Sequence, residues 1–154
     1  MTAVNKQVFR YGTPTYVDLI VAYNQAVKVG EIMEIPAGGG LSTPIDNAAD
    51  NASLFAVADE AHAALAADDG KTHHLRAILP NPSCVFEFPV DGTPNLVVGS
   101  GLSMKDSQTL KLAATDHVAV AVEPKTAATS VKCVFLVPPL LGGAAQDTSF
   151  TSAS

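Results

Sequence analysis

Short runs in which apolar and polar residues alternate, separated by Pro, Gly, Asn and Asp, recur along most of the chain, and this period of two confines it to a fold of many short strands. In "SCVFEFPV", Cys84, Phe86 and Phe88 point to one side while Val85 and Glu87 point to the other. In "SVKCVFLV", Val131, Cys133, Phe135 and Val137 share one face. Lys132, Val134 and Leu136 share the opposite one, which is apolar enough to meet another sheet or a neighbouring subunit. The same pattern predicts strands at about 16–22, 27–35, 53–59, 73–79, 83–90, 95–98, 108–113, 117–123 and 130–137. One segment carries a helical claim: "DEAHAALAADD" over 59–69 is alanine-rich, has acids in its first turn as the helix dipole prefers, and is stopped by Gly70.

That segment also spells Asp59-Glu60-Ala61-His62, the letters of a helicase nucleotide-hydrolysis box. Such a box needs a glycine-rich loop ending in Lys-Ser or Lys-Thr to cradle phosphates. Neither "AGGGLST" at 37–43 nor "VGSGLSMK" at 98–105 has that form, and the last glycine of a dinucleotide loop would fall on Thr43 or Met104. A chain of 154 residues is one ordinary domain, not the two lobes of a helicase. The letters therefore mark a corner where a strand, "LFAVA", runs into one or two helical turns.

A weak internal similarity joins the halves. The first half runs from "VGEIMEI" through "LFAVADE" to "HLRAILP", the second from "VGSGLSM" through "VAVAVEP" to "VKCVFLVP". Each reads as a Val-Gly turn, an Ala/Val strand ending in an acid, and a strand closed by proline, as two equivalent halves of a β-barrel would. Around this core the expected organisation is an amino-terminal arm over 1–15, a β-rich domain over 16–141 and a small, polar tail over 142–154.

Candidate chemistry is sparse. Asp59, Glu60, His62, Asp68, Asp69, His73 and His74 form the best metal candidate. However, Asp59 and His62 sit at a corner with no third ligand fixed, and His73 and His74, adjacent on a strand, point to opposite faces, so a solvated turn is the expectation. No G-x-S-x-G elbow is present, and His117 reads as a strand-end residue. Cys84 and Cys133 lie in apolar runs as small buried hydrophobes; the sequence leaves open whether they are bonded to each other. No enzyme, metal or cofactor site is expected. A net charge of −6 with nine scattered basic residues argues against a nucleic-acid surface, and the apolar runs are too short for a membrane span or a signal peptide, so synthesis in a cytoplasm is expected.

A polar amino-terminal arm, Val-Gly strands, a "LFAVADEA" strand followed by an insertion, and the "VAVAVEP…VKCVFLVPP" ending together resemble the capsid decoration, or cement, proteins of tailed bacteriophages, similar to the head decoration proteins of lambda-like phages. The resemblance covers about residues 16–140 as a pattern of strands and turns. It implies a mainly β fold, a small β-barrel or β-tulip-like domain with one short helix and extended terminal arms. It also implies a non-enzymatic structural protein on the outer capsid surface of a virion, with the major capsid protein and itself, as a homotrimer or a dimer, for partners, and neither nucleic acid nor membrane. Under that reading Phe9, Arg10, Tyr11, Thr15 and Tyr16 are expected to form a docking arm, since they concentrate the aromatic and Arg content that anchors interfaces. The bland alternative makes Tyr16 core and the rest a frayed end. Another virion subunit, such as a tail tube or head fibre, or a small β-barrel ligand-binding or enzymatic domain, are the rival expectations.

Overall fold

The structure, a computed structural model, describes residues 9–36, 39–45, 54–66, 70–115 and 117–136. Eleven strands are present among them: β1 Phe9–Tyr11, β2 Thr15–Ala22, β3 Ile32–Ile35, β4 Thr43–Pro44, β5 Leu54–Ala58, β6 Thr72–Leu79, β7 Val85–Pro89, β8 Gly101–Met104, β9 Leu110–Leu112, β10 Ala119–Ala121 and β11 Ser130–Phe135. They form two antiparallel sheets, ordered β2-β6-β5-β3-β4 and β1-β7-β11-β10-β8-β9. The mainly β expectation is met.

The helix expected over 59–69 is not: residues 59–66 are irregular, and 67–69 lie outside the described residues. Backbone pairing defeats the alanine propensity there. His62 exchanges both of its main-chain hydrogen bonds with Val27 (2.9 Å each), Asp59 N donates to Arg76 O, and Leu65 N donates to Tyr23 O, so this backbone serves a sheet margin. The strand expected at 95–98 is also absent as such. Leu96 makes an isolated bridge with Lys125, a turn follows, and the strand begins at Gly101.

Removing β1 leaves two five-stranded units with one wiring: β2-β6-β5-β3-β4 and β7-β11-β10-β8-β9 are the same order, shifted by five strands. The equivalence reaches individual hydrogen bonds. The Val27–His62 bridge matches Leu96–Lys125. Gly30 N to Ala58 O (2.8 Å) matches Gly99 N to Ala121 O (2.8 Å), and Ala58 N to Glu31 O matches Ala121 N to Ser100 O. Both Val-Gly turns close by the same bond, Glu31 N to Lys28 O and Ser100 N to Val97 O, with Gly30 and Gly99 at φ 92° and 94°. Only glycine takes that third turn position without strain. The sequence similarity between the halves is thus a structural repeat.

Each unit curls on itself. Ser42 N, just before β4, donates to Ile20 O of β2 (2.7 Å), and Asp91 N, just after β7, donates to Leu110 O of β9 (2.9 Å). The first unit encloses Leu19, Val21, Met33, Ala56, Leu75 and Ala77. The second encloses Phe86, Phe88, Leu102, Ala119, Val131 and Cys133. The units then pack together: Ile32, Ile45, Phe55, Val57 and Ile78, on the outer face of the first, belong to the second unit's core cluster. This double burial explains why β5, "LFAVA", lacks alternation, since Phe55 and Val57 face the seam while Ala56 and Ala58 face the interior. Phe55 meets Phe135 edge-on at 5.1 Å between ring centres, and Phe135 meets Phe86 and Phe88 at 5.4 and 5.7 Å.

At the margin of the seam the buried Glu31 carboxylate accepts from Lys28 N (2.9 Å), Ser107 Oγ (2.7 Å) and Gln108 Nε2 (3.2 Å), while Ile32 N donates to Ser107 O (2.7 Å). Phe135→Ala should cost about 3–5 kcal/mol in denaturant unfolding, by leaving a cavity shared between the units. Gly99→Ala, with open space around the added Cβ, should cost roughly 1–2 kcal/mol through its backbone alone, and Gly30→Ala, in the same turn but buried, at least as much.

Candidate docking surface

β1–β2 and β6–β7 run side by side as one long antiparallel ribbon that passes from one sheet to the other. Tyr11 stands opposite Val85 in the six-stranded sheet, and Thr15 stands opposite Leu79 in the five-stranded one. Its corner is locked. Thr13 O accepts from Asn81 Nδ2 (3.1 Å), with Ser83 Oγ and Cys84 Sγ each at 3.5 Å, and Asn81 Oδ1 accepts from Ser83 N and Oγ. Gly12, at φ 123°, lies so close to Ser83 O that any side chain would collide with that carbonyl.

This corner divides the five residues expected to dock. Phe9 packs against the core, edge-on to Phe86 at 5.7 Å, and Arg10 Nε donates to Glu87 Oε1 at 3.0 Å. Both therefore help attach β1 to β7. Thr15 and Tyr16 open β2 on the other sheet. Tyr11 and Tyr16 are 59% and 52% exposed, and the Arg76 guanidinium lies 5.3 Å from the centre of the Tyr16 ring. Residues 9–15 of the expected arm are thus partly strand, whereas 1–8 and 142–154 lie outside the described residues.

The groups that surround Tyr16 come from another strand and have no local sign in the sequence. On the outer face of β2 and β6, Tyr16, Asp18 and Ile20 lie beside His74 and Arg76. Asp18 Oδ2 meets His74 Nδ1 at 2.6 Å, and Arg76 Nη2 meets Asp59 Oδ2 at 2.8 Å. Period two, applied to both strands with their register, is the signal that would have assembled this face.

The other candidates are drawn into structural roles. His62 is buried, its Nε2 donates to Tyr23 O (2.9 Å), and its ring stacks on His73 at 4.1 Å, while His74 turns to the opposite face. His117 Nε2 donates to Ala113 O (3.0 Å), and its ring fills the space beside Gly101. Cys84 and Cys133 are buried and free, and burial pushes the Cys133 thiol far above the usual thiol range. Among the described residues no three His, Cys, Asp or Glu are placed to hold a metal ion, and no helix is long and apolar enough to cross a membrane.

Behind β1, Glu87 accepts from Arg10 and from Ser130 Oγ (2.9 Å), with Lys125 Nζ at 3.9 Å. Partial burial raises its pKa, but the hydrogen bonds from Arg10 and Ser130 and the charges of Arg10 and Lys125 outweigh that, leaving it below the ordinary value of 4.5. The stabilisation is therefore present above pH 4.5 and is lost as the pH falls through the lowered folded value. Glu87→Gln should flatten this acid limb, read as midpoint denaturant concentration against pH, and leave its shape near neutrality unchanged. No family model and no curated protein sequence matches the chain, so the functional reading rests on this geometry and on the resemblance of its strand pattern.

Proposed function

We propose that the chain is a non-enzymatic structural protein that docks on the outer surface of a tailed-phage capsid and stabilises the expanded shell. The observation that carries this reading is the locked ribbon corner, which presents Tyr11 and Tyr16 outward from a backbone fixed by Asn81, Ser83 and Cys84. Tyrosine offers large contact area at small cost in side-chain entropy, and a fixed backbone lowers the cost of binding further. A cement function needs these properties and no titratable centre: a rigid body with anchors, set against neighbouring shell subunits. The acidic balance of the chain suits a face turned to solvent rather than to packaged DNA. The major capsid protein is the partner in this reading.

Truncating the arm is a poor test, because Phe9 and Arg10 help hold β1 on β7. Substituting the anchors is a better one. Tyr11→Ser and Tyr16→Ser, mixed with expanded undecorated capsids and sedimented, should each lower capsid affinity about tenfold, and together about a hundredfold. The rise in shell melting temperature produced by the unaltered protein should disappear with them. Unchanged pelleting and unchanged shell melting with the double variant would sink the proposal.

A further inference from the structure

The two acids of the corner that follows β5 converge on one residue. Asp59 Oδ2 accepts from Arg76 Nε (2.9 Å) and from Arg76 Nη2 (2.8 Å), Asp59 N donates to Arg76 O (2.9 Å), and Arg76 N donates to Glu60 Oε1 at 3.4 Å. The corner therefore holds Arg76 by its main chain and by its side chain.

Strand register alone would give Arg76 a different partner. Asp18 stands directly opposite it in the pairing of β2 with β6, on the same face of the sheet. The two side chains diverge instead: Asp18 Oδ2 meets His74 Nδ1 at 2.6 Å, and the Arg76 fork turns to Asp59. Burial decides this competition, because the Asp59 side chain is 10% exposed and that of Asp18 is 64% exposed, and a carboxylate that has lost most of its water gains more from a guanidinium. The same turn brings the guanidinium to 5.3 Å from the centre of the Tyr16 ring, two residues from Asp18 along β2.

We propose that Asp59 is a positioning residue for docking: it holds the Arg76 guanidinium against the Tyr16 ring, so that Tyr16 meets its partner already confined to one orientation. The partner rests on the capsid reading, while the geometry rests on the contacts among Asp59, Arg76 and Tyr16. Docking that first had to freeze an exposed tyrosine and an adjacent arginine would be weakened by the side-chain freedom lost. Here part of that loss is taken at folding, since a guanidinium fork held at two nitrogens keeps few rotamers and the ring beside it keeps fewer. Asp59 itself is largely buried and acts through Arg76.

A double-mutant cycle on capsid affinity tests the role, with the full chain pelleted on expanded undecorated capsids. Asp59→Asn, which keeps the shape of the side chain and removes its charge, and Arg76→Gln should each lower affinity about threefold, and the two together no further. In a Tyr16→Ser background neither should have an effect, because both act through that ring. Arg76→Gln, at an exposed side chain, completes the cycle even where Asp59→Asn lowers unfolding stability. In the free protein, NMR should place the Arg76 side-chain protons upfield of ordinary arginine values through the ring current of Tyr16, and both Tyr16→Ser and Asp59→Asn should return them there. Losses that persist in the Tyr16→Ser background, or an upfield shift that survives Asp59→Asn, would overturn the positioning role. Unaltered protein that stays in the supernatant would end the capsid reading and the docking role with it, a result distinct from pelleting without coupling.

Discussion

The contact on which the molecule depends is the apolar seam between its two units. A five-stranded curl built from "LFAVA"-type strands has too thin an interior to stand alone with comfort: Ala56, Ala58 and Ala77 fill space that larger side chains would occupy in a thicker barrel. The outer face compensates. Ile32, Phe55, Val57 and Ile78 lose their water by packing on the second unit, and Phe135 inserts among aromatic rings from both. Glu31 then fixes the register of one unit on the other. Its carboxylate is held by three donors, so sliding the units apart would strand a buried charge.

The repeat and the ribbon divide the remaining work. Repetition supplies two similar curls from one local plan, in which a Val-Gly turn starts a strand and the same few main-chain bonds close each curl. The ribbon β1–β2 with β6–β7 breaks that symmetry. It ties one sheet to the other through Gly12 and the Asn81–Ser83 corner, and it is where the outward tyrosines stand. Of the two candidate anchors, Tyr11 stands on β1, which has no counterpart in the repeat, and Tyr16 on β2, a strand of the first unit.

Much of the body could be read from the sequence, because period two survives wherever a strand has one wet face. β2, β6, β7, β9, β10 and β11 lie within or close to the expected runs, and the halves align on the Val-Gly turns. Three features escaped for physical reasons. The alanines after Asp59 favour a helix locally, but the bridge between His62 and Val27 needs pairing partners far apart in sequence. "NLVV" has strand propensity, yet Gly99 turns the chain and moves the strand to Gly101–Met104. β1 is three residues long, with only Phe9 apolar and packed, so nothing in its pattern separates it from a loose arm. For the candidate site, the sequence picked out Tyr11 and Tyr16 by type, while Arg76 and His74 depended on a register that no local pattern reveals.

The sequential layout of the units also governs synthesis. All strands of the first unit lie between residues 15 and 79, so it can close before the second unit has left the ribosome. During that interval Phe55, Val57 and Ile78 face water instead of the second unit's core. The nascent chain therefore passes through a stage at which a finished curl displays an apolar flank, and the delay before the second half arrives sets how long that flank is open to a wrong neighbour. A ribosome that slows late in the chain would lengthen this exposure, and a crowded polysome would place an identical flank close by.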